Sequence, residues 1–296
     1  MKESMEDKIF HLVVMIFLSI ILGLVLYPLL FILNASFSDP FMVTTGQVWL
    51  LPKGFTTDGY RRVFQNSDIL MGYKNTIFYV LLGTSINLFV TLTCAFSLSR
   101  KDFIGRNFFM ILFSFTMFFS GGLIPNYLVV KNLGMINTVW ALVIPNAVGM
   151  WNVVISRTFF QTNIPMELQE SASIDGSSIT RMFISIVLPL SKPIIAVMLL
   201  FYAVGHWNSF FLALIYISDR SKYPLQLILR EILILQEMKA EMMQTGDELD
   251  DWLTQVNIVE LIKYAVMIVS TIPVLLLYPL LQKYFVQGIM IGSLKG

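Results

Sequence analysis

Long apolar runs alternate with short polar intervals along this 296-residue chain. A hydrocarbon core of about 30 Å is crossed by about 20 mostly apolar residues in a helix. Runs at 9–33, 75–98, 107–130, 138–160, 183–217 and 258–281 answer to that length and predict six membrane spans. The connections 34–74 and 218–257 are long, and the other three are short. The first run follows a charged head, Met1 to Lys8, and is too long for the apolar core of a signal peptide, so it reads as an uncleaved span. The stretch 225–244 is apolar only in part. Arg230, Glu231, Glu237, Lys239 and Glu241 interrupt it, and Pro224 stands where a helix starts. A charge at the bilayer centre costs at least about 2.5 kcal/mol, so this stretch predicts an amphipathic helix at the outer interface or against a partner. The acidic continuation to Asp251 reads as a solvated linker.

Composition supports the same class. The chain is 56% hydrophobic and 13% charged, with mean hydropathy +0.73, far from a soluble globular domain. The expected fold is an all-α polytopic membrane protein. An even number of spans puts both termini on one side. Lysine and arginine divide evenly between the two sides, but Arg100-Lys101 directly flanks a span end, which favours cytoplasmic termini. The single cysteine, Cys94, lies within a span, so neither a disulfide framework nor a cysteine metal site is available.

Glycine and proline mark local structure. Gly121-Gly122 with Pro125 weakens or bends the third span, freeing backbone groups that must face protein or water. Pro165 opens a short helix in the polar interval 161–182, with Glu167 and Glu170 as its carboxylates. Small side chains at Ser171, Ala172 and Ser173 permit close approach by a partner surface, and Asp175-Gly176 ends the helix. The same residues also suit an ordinary capped helix between spans.

Candidate chemistry is sparse. There is no phosphate-cradling Gly-x4-Gly-Lys run, and no glycine precedes a lysine anywhere. His-Glu-x-x-His and Gly-x-Ser-x-Gly are absent, and no carboxylate pair falls within a span. The histidines are His11 in the first span, read as interfacial, and His206 in the fifth, which either lines a polar cavity or packs against a neighbouring helix. Sugar recognition needs flat apolar faces with amide and hydroxyl partners. Trp207, Asn208 and Phe211 in span five supply such a mixture, as do Trp151 and Asn152 in span four. Aromatic residues also fill membrane cores generally, whereas an amide within a span needs a partner or a wet cavity.

Glu170-Ser171-Ala172-Ser173-Ile174-Asp175-Gly176, followed after nine residues by Ile186-Val187-Leu188-Pro189, resembles the EAA loop of ABC-importer permeases. Ser171 stands where that family often has alanine. Three further stretches are similar to the carbohydrate-uptake permeases, in the class of the smaller maltose permease subunit and the Gram-positive oligosaccharide permeases. They are Trp207 to Phe211 with Tyr223-Pro224-Leu225-Gln226, Asn75-Thr76 with Ala95 to Arg100, and the tail from Leu281 to Gly296.

The resemblance implies six transmembrane helices of the ABC-importer permease type and a cytoplasmic EAA coupling helix. It divides the chain into 1–74, an N-terminal span and first external loop, and 75–296, the transmembrane core with coupling loop 161–182 and tail 282–296. Glu167, Glu170, Ser171, Ala172, Asp175 and Gly176 would engage the ATPase. The implied function is import of an oligosaccharide delivered by an external binding protein. The implied partners are a second permease, two ATPase subunits and an extracellular sugar-binding lipoprotein, in the plasma membrane of a Gram-positive bacterium. ATP and Mg would belong to the partner ATPase, so this chain is expected to be no enzyme and to hold no cofactor, metal or nucleic acid. A permease for a non-sugar solute, a secondary transporter and an intramembrane enzyme are the rival readings. The acids cluster in loops rather than at mid-membrane, which weighs against the second. The enzyme reading lacks a nucleophile or metal set.

Overall fold

The computed structural model describes residues 4–243 and 262–277, with 279 and 282. These residues are helical and connecting segments, with no strand among them. The tail 282–296 lies outside the described residues except for Gln282, as does most of the linker to Asp251. By packing, the chain falls into two compact units, one built from Met1–Leu70 and Leu229–Ile272, the other from Met71–Ile228 and Pro273–Gly296.

In the first unit, α1 (Met5–Ser36) covers the predicted span 9–33 as one continuous helix. Ser4 and Asp7 close a reciprocal capping box at its start, satisfying two donors that a helix leaves open. Its apolar side chains are exposed along almost the whole length, as expected of a helix solvated by lipid. The connection after it is structured. Helices α2 (Pro40–Thr44) and α3 (Asp58–Gln65) lie within it. The segment folds onto the end of α1. Ser36 Oγ and Tyr60 Oη share a hydrogen bond at 2.7 Å, Phe37 stacks on Phe55, and the Lys53 amide donates to Ser38 Oγ.

The second unit is organised by one long helix. α4 (Ser67–Ser99) begins eight residues before the predicted span 75–98 and carries most of its length into this unit. Asn66 lies just ahead of it, and its Oδ1 accepts from the amides of Asp68 and Ile69. That side-chain cap explains the earlier start: hydropathy alone misses it because the first turn is polar.

The other predicted spans are interrupted. The third, 107–130, is two helices, α5 (Arg106–Phe118) and α6 (Leu123–Asn132), bent by 117°. Gly122 turns the chain there with φ +84°, a left-handed value that favours glycine. The glycine pair therefore does more than weaken the span; it reverses the chain. The fourth, 138–160, is α7 (Trp140–Val143) and α8 (Met150–Asn163), with Pro145 and Gly149 in the break. After α9 (Met166–Ile174), the fifth is broken several times. α10 (Ile179–Met182) runs into a widened five-residue turn at Phe183–Val187 and then α11 (Leu188–Leu190). Pro189 in α11 has no amide hydrogen, and a widened turn accommodates the missing bond. α12 (Lys192–Trp207) follows at 83°, with Pro193 in its first turn, and α13 (Phe211–Tyr216) ends the segment. α14 (Leu225–Met243) is the helix expected at 225–244, and α15 (Ile262–Leu277) is the described part of the span placed at 258–281.

The apolar core of this unit joins α4, α8 and α12 through Leu92, Phe96, Val153, Phe160, Ile194 and Met198. A second set of contacts ties the start of α4 to the turn before α14. Asn75 Nδ2 donates to the carbonyls of Ser221 and Tyr223, at 2.8 and 3.0 Å. Tyr79 Oη donates to the Lys222 carbonyl, and Thr76 Oγ1 accepts the Leu225 amide at 2.8 Å. A Cβ on Gly72 would lie 3.0 Å from the Leu225 Cα and crowd the Ile228 side chain, so glycine makes room for this approach. Asn75-Thr76 and Tyr223-Pro224-Leu225, distant in sequence, are thus two halves of one joint.

Thr76 and Leu225 are both fully buried, so Thr76→Val, which keeps the shape, strands the Leu225 amide. The expected loss is about 1–3 kcal/mol, read as a lowered Tm of the detergent-solubilised protein, with Thr76→Ser close to wild type.

Candidate functional site

Hydrogen-bonding side chains line one face of α4. Thr76, Tyr79, Asn87 and Thr91, with the bare Gly83 between Tyr79 and Asn87, recur at three- and four-residue intervals and so share a helical stripe. Gly83 is the midpoint of Ser67–Ser99, so Asn87 and Thr91 fall within the central part of the span. Both are fully buried. An amide without a partner at that depth is costly, and Asn87 has two. Its Nδ2 donates to the Asn146 carbonyl at 2.7 Å, and its Oδ1 meets His206 Nε2 at 2.6 Å. One turn on, Thr91 Oγ1 and Tyr202 Oη share a hydrogen bond at 2.6 Å, and Tyr202 Oη also accepts the Gly149 amide at 3.4 Å. The stripe thereby satisfies backbone groups released by the break between α7 and α8.

Beside this network is a cavity of about 290 Å³ lined by Asn146, Gly149, Tyr202, His206 and Ser209, together with Leu142, Val148 and Phe201. Its volume is near the lower end of the roughly 300–1,000 Å³ typical of small-molecule sites. The lining mixes apolar faces with hydroxyl, amide and imidazole groups and contains no Asp, Glu, Lys or Arg. Such a surface suits an uncharged, hydroxyl-rich solute.

A larger cleft of about 1060 Å³ lies at the C-terminal end of α4. Its walls are Ser99 to Asp102, the end of α8 with Phe160 to Asn163, and α9 with Gln169, Glu170, Ser173 and Ile174. The α8 end is fixed to α4 by Arg157 Nε donating to the Leu98 carbonyl at 3.0 Å and Gln161 Nε2 to that of Ser99 at 3.3 Å. Arg100 makes two hydrogen bonds to Asp102, at 2.8 and 2.5 Å. They hold the Asp102 carboxyl below the usual carboxylate range.

α9 ends where the sequence signals a stop. The Ser177 amide reaches back to the Ala172 carbonyl and the Gly176 amide to that of Ser173, with Gly176 at φ +73°. This six-to-one and five-to-two pairing closes a helix through a left-handed residue. Glu167, Glu170, Ser171, Asp175 and Gly176 are all exposed. Ala172 is buried and packs into the chain's own core, so its small size serves the seating of α9 on α4, α8 and α12. Ile174 is 87% exposed, an apolar side chain presented outward beside the cleft.

The aromatic and amide candidates scatter. Trp207 is buried, with its ring 5.9 Å from Tyr73, and lines a separate apolar pocket with Ile77, Leu81 and Pro273. Asn208 is exposed at the end of α12, where its amide caps the Val204 carbonyl. Phe211 is half exposed and Trp151 largely so. Asn152 is half buried beside Gly149, at the edge of the cavity. Of the residues singled out in the sequence, His206 is the one that lines the cavity. Tyr202, Asn146 and Asn87 carry no local signal beyond being polar groups inside predicted spans, and that signal applies to each of them.

Comparison with known proteins identifies relatives over nearly the whole chain. The model of the family described as "Binding-protein-dependent transport system inner membrane component" matches residues 69–291. Protein LplC of Bacillus subtilis is 42% identical over 296 residues, covering all of this chain and 98% of that protein. The polygalacturonan/rhamnogalacturonan transport system permease protein YtcP of the same organism is 40% identical, over 99% of this chain and all of that protein. Among solved structures, a chain of a bacterial ABC transporter involved in the import of the acidic polysaccharide alginate superposes with TM-score 0.84 at 30% identity, covering 96% of this chain and 99% of that one.

A Cβ on Gly83 would lie 2.4 Å from His206 Nε2. Gly83→Ala is therefore expected to displace the imidazole from Asn87 and lower stability by about 1–3 kcal/mol, measured by thermal unfolding in detergent.

Proposed function

The chain belongs to the family of binding-protein-dependent transport system inner membrane components, and we propose that it is one of two permease halves of an oligosaccharide importer. It is a multi-pass membrane permease rather than the subunit that hydrolyses ATP. In this reading a second, homologous permease completes the path through the membrane. Two ATPase subunits bind ATP and Mg below it, and an extracellular sugar-binding lipoprotein delivers the substrate. The observation that carries the reading is the uncharged polar cavity set against the centre of α4. Relatives named for polygalacturonan, rhamnogalacturonan and alginate transport support saccharides as the solute class.

Six spans with both termini in the cytoplasm put α9 and the cleft on the ATP side. The exposed residues Glu167, Glu170, Ser171 and Ile174 then form the face that enters the ATPase, Glu170 by charge and Ile174 by apolar burial. Asp175 and Gly176 set the angle at which α9 leaves for α10. Asn152 at the cavity edge belongs to the solute path, the exposed Asn208, Phe211 and Trp151 face lipid, the partner permease or the path outside the cavity, and the buried Trp207 packs within the chain. A non-sugar solute fits less well, because hydroxyl, amide and imidazole groups without a charged partner match ring hydroxyls.

The test is reconstitution of the chain with its partner permease, ATPase and binding lipoprotein in proteoliposomes. ATP-dependent uptake is measured for a panel of neutral and uronate-bearing di- to tetrasaccharides. With amino acids as control solutes, uptake of at least one saccharide and of no amino acid supports the reading; uptake without ATP removes it. Within the same assay, Gly176→Val forces a β-branched residue into left-handed backbone, at a cost of about 1–2 kcal/mol, and is expected to abolish coupled uptake. Gly176→Asn, which tolerates that conformation, is expected to keep most of it. In the permease pair without its ATPase, Ser171→Cys in a Cys94→Ser background is expected to react with an impermeant reagent only from the cytoplasmic side, and adding the ATPase is expected to protect it.

A further inference from the structure

Asn87 does more than fill a polar position, because its two hydrogen bonds determine the state of His206. The Asn146 carbonyl can only accept, so the Asn87 group 2.7 Å from it is the NH₂. The opposite end is then the carbonyl oxygen, which also can only accept. His206 Nε2, 2.6 Å away, must therefore carry the hydrogen. In the neutral imidazole this leaves the lone pair on Nδ1. That nitrogen has no hydrogen-bond partner among the described residues and is not one of the sealed, unpartnered side-chain atoms, which in this unit are Thr84 Oγ1 and Ser156 Oγ. His206 itself lines the cavity, so an unsealed Nδ1 has that cavity within reach. Ser209, three residues on, lines the same cavity, and its hydroxyl makes no hydrogen bond among the described residues.

We propose that His206 is a substrate-binding residue of this permease half, held by Asn87 as the Nε2–H tautomer so that Nδ1 accepts a hydrogen bond from an uncharged sugar hydroxyl, with Ser209 as its neighbouring contact. A carboxylate is the poorer occupant. It offers no hydrogen to a lone pair, and no Lys or Arg lines the cavity to pair with it. Gly83 is a positioning residue, since its missing side chain makes the space in which the ring lies against α4.

This rests on the importer reading, and the test separates the two. The fully assembled transporter is assayed in proteoliposomes with the panel saccharide that the wild type takes up best. Failure of the wild type to take up any saccharide removes the importer reading itself. Given wild-type uptake, two substitutions divide the functions of the ring. Asparagine places a polar atom where Nδ1 was and loses the bond to Asn87; glutamine reaches Asn87 as Nε2 did and loses Nδ1. Substrate binding through Nδ1 predicts that His206→Gln raises KM about tenfold with an unchanged Tm, the size of one lost hydrogen bond. His206→Asn is predicted to stay within about threefold of wild-type KM while lowering Tm. The reverse pattern, with KM following the Asn87 bond, overturns the proposal and leaves His206 as helix packing. So does an unchanged KM in both variants, or a His206→Gln defect confined to uronate-bearing saccharides. Ser209→Ala is expected to raise KM without changing Tm, and an unchanged KM there removes Ser209 from the site.

Discussion

The second unit depends on a constraint peculiar to lipid: a backbone group freed from its helix at membrane depth must find a partner within the protein. α4 meets that need. It is a long unbroken helix, and its stripe of Thr76, Tyr79, Asn87 and Thr91, with Asn75 beside it, bonds segments that break. Asn87 bonds a carbonyl released between α7 and α8, while Thr91 reaches the Gly149 amide indirectly through Tyr202. The joint at Asn75 and Thr76 does the same for the turn before α14. A polar cavity follows from this arrangement, because an interrupted helix cannot pack as tightly as a continuous one. The side chains that repair the interruption are themselves polar.

Both candidate regions are built on α4. At its centre α4 organises the cavity; at its end, Leu98 and Ser99 offer the carbonyls that Arg157 and Gln161 hold. α9 is seated by Ala172 against the core that α4, α8 and α12 share. The Arg100–Asp102 pair at the mouth of the cleft orders the turn that leaves α4.

Much of this was legible in the sequence, for identifiable reasons. Apolar runs located the long helices α1 and α4, because lipid imposes a length on any helix that crosses it; the runs at 107–130 and 183–217 are instead each a bent pair of helices. The α9 boundaries followed from Pro165 and Gly176, whose backbone preferences are local. The break at Gly121-Gly122 was foreseeable, though not its 117°. What stayed hidden was relational. Hydropathy treats Asn87 and Thr91 as minor blemishes in an apolar run, and nothing nearby says that their partners are His206 and Tyr202. Trp207 and Asn208 drew attention by residue type, yet a helical turn separates neighbours by about 100°. That rotation puts His206 and Ser209 on the cavity and Trp207 on an apolar pocket.

The long reach of the α4 bonds also sets a schedule for biogenesis. Asn87 and His206 are 119 residues apart, and Thr76 and the Leu225 amide 149. Chains are made at roughly 5–20 residues per second, so α4 emerges roughly 6–30 seconds before its partners exist. During that interval its polar stripe lies in or beside the bilayer with its obligations unmet. A newborn α4 must be sheltered, by the insertion machinery or by water at its channel, until the second half of the chain arrives. The residues that make the finished protein sound are thus the ones that make its half-built form fragile.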